Sequence, residues 1–249
     1  MELRGRRVLV TGATGPLGQA VVRRLADEGC QLVVTGRRGD VLDVLARDVS
    51  GHAIVADLAV RSDIDRLVGE CGDVDVFVAG AGVAGVGELT DHSLEQLDRV
   101  IEVNLRAPLA LARMLGERMV ARGGGHVVFV SSLVGKSAAA GAPLADATRF
   151  GVRGFALGLR QDWVGLGVGV SCVNTGPIGE PDLGRDGVAL PAGFRPRVPA
   201  DVAAAVVKAV RNDRAEVDVA DPVMRAGVVF GQVAPQVAAR LARLAGGER

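Results

Sequence analysis

The most legible chemistry in this chain is carried by glycines. Thr11-Gly12-Ala13-Thr14-Gly15-Pro16-Leu17-Gly18 spells T-G-x-x-G-x-x-G. Glycines so spaced allow a tight turn, close approach of backbone N–H groups to a phosphate, and close packing of a helix on a strand. The run lies between a predicted strand and a predicted helix, and Pro16 suits that helix's first turn. It therefore points to dinucleotide binding by Gly12, Thr14, Gly15, Leu17 and Gly18, with a purely structural turn as the alternative. About twenty residues on, where an acidic side chain would bond the ribose hydroxyls of NAD, the chain has Thr35-Gly36-Arg37-Arg38. Arg37 and Arg38 suit a 2′-phosphate, hence NADP(H), unless both simply solvate the surface. Asp57, followed by Leu58, lies where a carboxylate accepts a bond from an adenine amino group or caps a helix.

What the sequence lacks is as informative. It contains no tyrosine, so every mechanism that needs a phenol is excluded. The three cysteines, Cys30, Cys71 and Cys172, are widely spaced and have no histidine pair beside them, so no metal site is expected and a reducing cytoplasm fits best. His52, His92 and His126 fall outside the expected site, in capping or surface roles. Basic and acidic residues balance at 29 each, which leaves no global field for nucleic acid or an anionic bilayer. The first residues show no signal peptide, and no run reaches the roughly 18 apolar residues of a membrane span. A soluble cytoplasmic protein is expected.

These residues need a scaffold, and Val-rich runs alternating with helical patterns supply one. Strands are predicted at 7–11, 31–35, 52–56, 74–79, 126–131 and 168–173, with a short seventh at 216–219. Helical spacing follows each strand, as at 17–28, 94–121 and 144–166. This is the rhythm of a doubly wound α/β fold, a Rossmann-type parallel sheet in a single domain of about seven strands. Its ligands sit beyond the carboxyl ends of the strands, after Thr11, Thr35, Ala79 and Ser131. The stretch 176–199 holds five prolines and breaks the rhythm, reading as a long substrate loop or lid. Residues 230–245 read as an amphipathic C-terminal helix after Pro235 that packs on the domain or on a neighbouring subunit rather than on a membrane.

Over essentially its whole length the chain resembles the short-chain dehydrogenase/reductase family. Asn104, in Val103-Asn104-Leu105, matches the family's helix asparagine, which holds a water in the active site. Ser132, in Ser131-Ser132, matches the serine that hydrogen-bonds the substrate oxygen. Gly176-Pro177-Ile178 resembles the segment that lies against the nicotinamide, and Ala79-Gly80-Ala81-Gly82 stands where the family has N-N-A-G. Thirteen residues after the serine the family places a tyrosine, and four later a lysine. Here those positions are Ala145 and Arg149.

The family's phenol protonates the carbonyl oxygen as hydride arrives, worth about 10²- to 10⁴-fold in rate. Ala145 donates nothing, and Arg149 can bond ribose or an anion but, with a pKa above about 12, relays no proton. Asp146 is turned by about 100° from the phenol's place, and Lys136 reads as a solvated loop residue. The resemblance thus implies an NADP(H)-binding protein in which Ser132, Asn104 and Arg149 act on a hydrophobic small molecule, such as a polyketide or terpenoid intermediate. The step implied is a non-redox cyclisation, isomerisation or elimination. The alternatives are a non-catalytic partner subunit and a conventional ketoreductase with a replacement proton donor. A homodimer or homotetramer is implied, and Phe155, Leu159 and Trp163 form an apolar stripe that serves either an interface or the core.

Overall fold

The computed structural model describes residues 1–138, 140–179, 196–237 and 240. In chain order the elements are β1 (Arg7–Thr11), α1 (Pro16–Asp27), β2 (Gln31–Gly36), α2 (Gly39–Asp48), β3 (His52–Val55), α3 (Arg61–Glu70), β4 (Val76–Ala79), α4 (Leu94–Ile101), α5 (Ala107–Ala121), β5 (Gly125–Ser132), α6 (Pro143–Asp162), β6 (Val168–Thr175), α7 (Pro199–Arg211), β7 (Glu216–Val219) and α8 (Pro222–Val233). The seven strands form one parallel sheet in the order β3-β2-β1-β4-β5-β6-β7. The order reverses between β1 and β4, so the two strand ends that flank this crevice are those carrying Thr11 and Ala79. This is the expected doubly wound fold.

The strands read as runs of Val because both faces of the sheet are covered. On one face Val8, Val10 and Val34 pack under α1, α2 and α7. On the other, Leu9, Phe77 and Phe129 pack under α3, α5 and α6. Phe155, Leu159 and Trp163 join this second layer, with Phe155 edge-on to Phe129 at 5.8 Å between ring centroids. Within the single chain all three are half-buried against this core.

Several boundaries differ from the sequence reading. β4 begins at Val76 rather than Val74, and β6 runs on to Thr175, because its last residues pair with Ser131, Ser132 and β7. The stretch 94–121 is two helices joined by a π turn at Glu102–Arg106. A further helix, α8, precedes the expected C-terminal one: α8 ends at Val233, and after a break at Ala234 the described residues 235–237 and 240 are helical. Asp221 caps α8 by accepting from the Val223 N–H at 2.9 Å, with Pro222 in the first turn. Most of the tail beyond Val237, and loop residues 180–195, lie outside the described residues. Among the described residues no helix is long and apolar enough to cross a membrane.

Candidate active site

The glycine loop has a different demand at each glycine. Gly12 has φ +73°, and a Cβ there would lie 2.7 Å from both the Ala81 Cα and the Gly80 carbonyl oxygen. A Cβ on Gly18 would lie 2.1 Å from the Gly12 oxygen. These two glycines let the loop close onto β4 and α1 onto β1. A Cβ on Gly15 would meet only the Gly12 oxygen, at 3.7 Å, so the space above it is open. Gly15 is also the N-cap of α1, with no side chain capping it. The amides of this first turn, beginning at Leu17, and the positive end of a twelve-residue helix therefore face that space, a setting that favours an anionic group such as a pyrophosphate.

Neighbouring residues brace the loop. The Thr11 hydroxyl accepts from the Gly80 and Ala81 N–H groups at 3.1 and 3.3 Å and donates to the Val78 oxygen, tying the end of β1 to the segment after Ala79. Arg37 and Arg38 are both exposed, and Arg38 donates to the Thr14 carbonyl. Leu17 is half-buried and Leu58 is buried, on opposite faces of the sheet. Asp57 accepts from Arg99 on α4 at 2.9 and 3.2 Å and from the Ala59 N–H at 3.0 Å. Burial alone would raise its pKa, but these bonds and the charges of Arg99 and Arg37 bring it below the ordinary value. Asp57 is thus a tie between the β3 end and α4, and it caps a turn rather than a helix.

At the far side of the crevice the π turn carries Asn104, which is 3% exposed. Its carboxamide clasps Val83 twice, accepting from the N–H at 2.8 Å and donating to the carbonyl at 2.9 Å. Such turns are frequent at functional sites. One helical turn apart on α6 are Ala145 and Arg149. The Ala145 amide donates to the Gly85 oxygen at 3.2 Å, and Arg149 donates to the Val130 oxygen at 3.3 Å. A Cβ on Gly82 would sit 3.3 Å from an Arg149 guanidinium nitrogen and 3.4 Å from the Asn104 Oδ1. Arg149 and Asn104 therefore meet over Gly82. Ser132 ends β5, its hydroxyl donating to the Thr175 carbonyl at 3.2 Å. Gly176 begins the next segment, its N–H bound to the Val219 oxygen. The Pro177 carbonyl accepts from Arg197, and Ile178 pairs with Arg197, so the two described ends of the 176–199 stretch are zipped together.

Two expectations are corrected. Lys136 is not solvated: it is 9% exposed, and its ammonium bonds Asp218 at 2.8 Å and Glu216 at 3.2 Å. Asn174 donates to both carboxylates, and Arg153 donates to Glu216 through two nitrogens. These partners outweigh burial and hold the Glu216 carboxyl down to about 2. His126 is not a surface residue or a cap. It starts β5 at the opposite end of the sheet from the crevice and is 2% exposed. The Ser171 hydroxyl donates to the Arg214 carbonyl at 2.6 Å, so His126 Nε2, 2.8 Å away, carries the proton and donates to Ser171. Burial lowers its pKa to about 4. Asp146, next to Ala145, is buried. Among the described residues no group of His, Cys, Asp and Glu is arranged to hold a metal ion.

Comparison with known proteins agrees with this geometry. A short chain dehydrogenase family model matches residues 6–186. The ketoacyl reductase HetN of Nostoc sp. is 31% identical over 256 residues, covering 97% of this chain and 89% of that protein. The NADP-dependent 3-hydroxy acid dehydrogenase YdfG of Salmonella typhi is 32% identical over 179 residues, covering 69% and 72%. A solved short chain dehydrogenase/reductase family protein superposes with a TM-score of 0.82 at 27% identity, covering 88% of this chain and 97% of that one. On the family match, the fold and these relatives together, the chain belongs to the short-chain dehydrogenase/reductase family.

Proposed function

We propose that this chain binds NADP(H) and acts on a hydrophobic small molecule by a step that does not need the family's phenol. Gly12, Thr14, Gly15, Leu17 and Gly18 would take the pyrophosphate on the α1 amides. Arg37 and Arg38 would take the 2′-phosphate, with Arg38 fixed against the Thr14 carbonyl. Asp57, Leu58, Ala79, Gly80 and Gly176 to Ile178 would line the adenine and nicotinamide ends. When bound, the cofactor supplies a hydride donor or acceptor face beside the substrate. YdfG is named as NADP-dependent, which supports the choice of cofactor.

The observation that carries the reading is the pairing at one face of α6 of Ala145, which has no polar side-chain atom, with Arg149, whose guanidinium stands beside Asn104 over Gly82. A permanent cation can stabilise a developing oxyanion without surrendering a proton, and the Ser132 hydroxyl would join it by turning its one proton from the Thr175 carbonyl to the substrate. Cyclisation, isomerisation or elimination of a bound substrate needs that and correct positioning. A second reading, reduction of a ketone with the proton drawn from elsewhere, is favoured by the ketoacyl reductase name of HetN.

Titration with NADPH, followed by Trp163 quenching and by the thermal midpoint, tests the cofactor assignment. Micromolar binding with stabilisation is the expected outcome. Absence of both signals contradicts it.

A further inference from the structure

The tie between Asp57 and Arg99 stands where the fold has little need of one. The two side chains are 30% and 39% exposed, and an ion pair that open contributes little to stability. The Asp57 backbone is fixed without it. Its N–H donates to the Asp63 carboxylate on α3 at 2.8 Å, and Arg66 holds that carboxylate at 3.3 Å. What Arg99 fixes is the Asp57 carboxylate itself. A carboxylate offers about four acceptor positions. The Ala59 N–H takes one on Oδ1, and a single Arg99 nitrogen takes another there and one on Oδ2. Among the described residues the remaining position, on Oδ2, has no donor.

The strand order says what lies within its reach. The glycine loop follows β1, Arg37 and Arg38 follow β2, and Asp57 follows β3, the next strand out. The Ala56 N–H, bonded to the Gly36 carbonyl at 3.0 Å, keeps the ends of β2 and β3 level. At about 4.8 Å per strand, Asp57 stands about 10 Å along the sheet from the phosphate-binding turn, with the two arginines on the strand between. A base whose ribose phosphate meets those arginines therefore ends at Asp57, beside the buried Leu58.

On the reading that the crevice binds NADP(H), we propose that Arg99 is a positioning residue for the cofactor's base: it holds the Asp57 carboxylate in place with one acceptor position left for the amino group at C6 of the purine. A 6-oxopurine brings a carbonyl oxygen to the same point, and two acceptors set against each other repel. The restraint from α4 thus makes the site select adenine. Without Arg99 the carboxylate keeps only the Ala59 N–H, turns and hydrates freely, and loses the preorganisation on which that selection rests.

Titration of the full chain with NADPH and with its hypoxanthine analogue, deamino-NADPH, followed by Trp163 quenching, tests this. The two ligands differ only at C6 and in the N1 proton that goes with it, so the ratio of their dissociation constants is blind to a general loosening of the fold. Wild type is expected to bind NADPH at least about tenfold tighter. Arg99→Met, like Asp57→Ala, should bring the ratio to within about threefold of unity, with the thermal midpoint within about 4 °C of wild type. Arg99→Lys, which keeps a cation on α4, should retain most of the preference. If Arg99→Met does not fold, Arg99→Gln, without the charge, should show a ratio below that of Arg99→Lys. A wild-type chain with no preference, or a preference that Arg99→Met or Arg99→Gln leaves intact, overturns the inference and leaves the cofactor reading standing. A wild-type chain that binds neither nucleotide removes both.

Discussion

The Arg149 guanidinium and the Asn104 carboxamide converge on Gly82, 3.3 and 3.4 Å from the point its Cβ would occupy. The residue one turn before Arg149 contributes only a methyl group. Everything proposed for the site's chemistry turns on that arrangement: a fixed cation, an amide already committed to Val83, and no phenol.

Placing a tyrosine and a lysine at the two positions proposed for them on α6 is the constructive test. Ala145→Tyr with Arg149→Lys should raise ketone-dependent NADPH oxidation by at least about 10²-fold, read by absorbance at saturating NADPH. A folded, NADPH-binding double variant that gains nothing would show that α6 does not face the reacting atoms.

The glycines of the loop should separate by kind of damage. Gly12→Ala combines positive φ with a contact against Ala81 and Gly80, and should cost about 2–3 kcal/mol in urea unfolding. Gly15→Ala has room for its methyl. It should leave stability within about 1 kcal/mol while weakening NADPH binding, because the methyl enters the space over the α1 amides.

Much of this was legible from local pattern. The loop from Thr11 to Gly18, the Val-rich strands and the helical spacing around Arg149 are short-range signals, and the fold follows from them. The roles of Lys136 and His126 are not legible locally because their partners are distant in sequence: Asp218 is 82 residues from Lys136 and Ser171 is 45 from His126. Nothing beside a lysine in a glycine-rich turn announces a pair of carboxylates on an edge strand. Asp57 was ambiguous for the same reason, since Arg99 reaches it from another helix. The start of α8 is legible in Asp221-Pro222, a cap followed by a first-turn proline.

The ion network around Lys136 should be costly to break. Lys136→Met leaves two carboxylates, each about a quarter exposed, with Arg153 and Asn174 as remaining partners. After allowance for solvent screening, a loss of about 2–3 kcal/mol is expected by urea unfolding. Adding Asp218→Asn should recover part of it, and a loss indistinguishable from zero would place the lysine outside any cooperative network.

Acid should weaken the fold through His126 in a defined window. Its folded pKa of about 4 lies below the ordinary 6.5, so the unfolded chain binds the proton first. The stabilisation is complete above about pH 6.5 and is lost as pH falls towards 4, by about 3 kcal/mol. Glu216, held to about 2, adds a second loss that starts in the ordinary carboxylate range and continues below it. His126→Gln should flatten the stability curve between pH 6.5 and 4 but leave the lower limb. An unchanged slope there would contradict the burial of a neutral imidazole.

The most direct measurement is the rate of NADPH oxidation by the wild-type chain across a panel of aliphatic and aromatic ketones, under conditions where NADPH binding has been observed. The expected result is a bound cofactor with ketone-dependent oxidation at or near background. Turnover on the order of 1–10 per second, the range of ordinary enzymes, would mean that another group delivers the proton and that the site has kept its reductase chemistry.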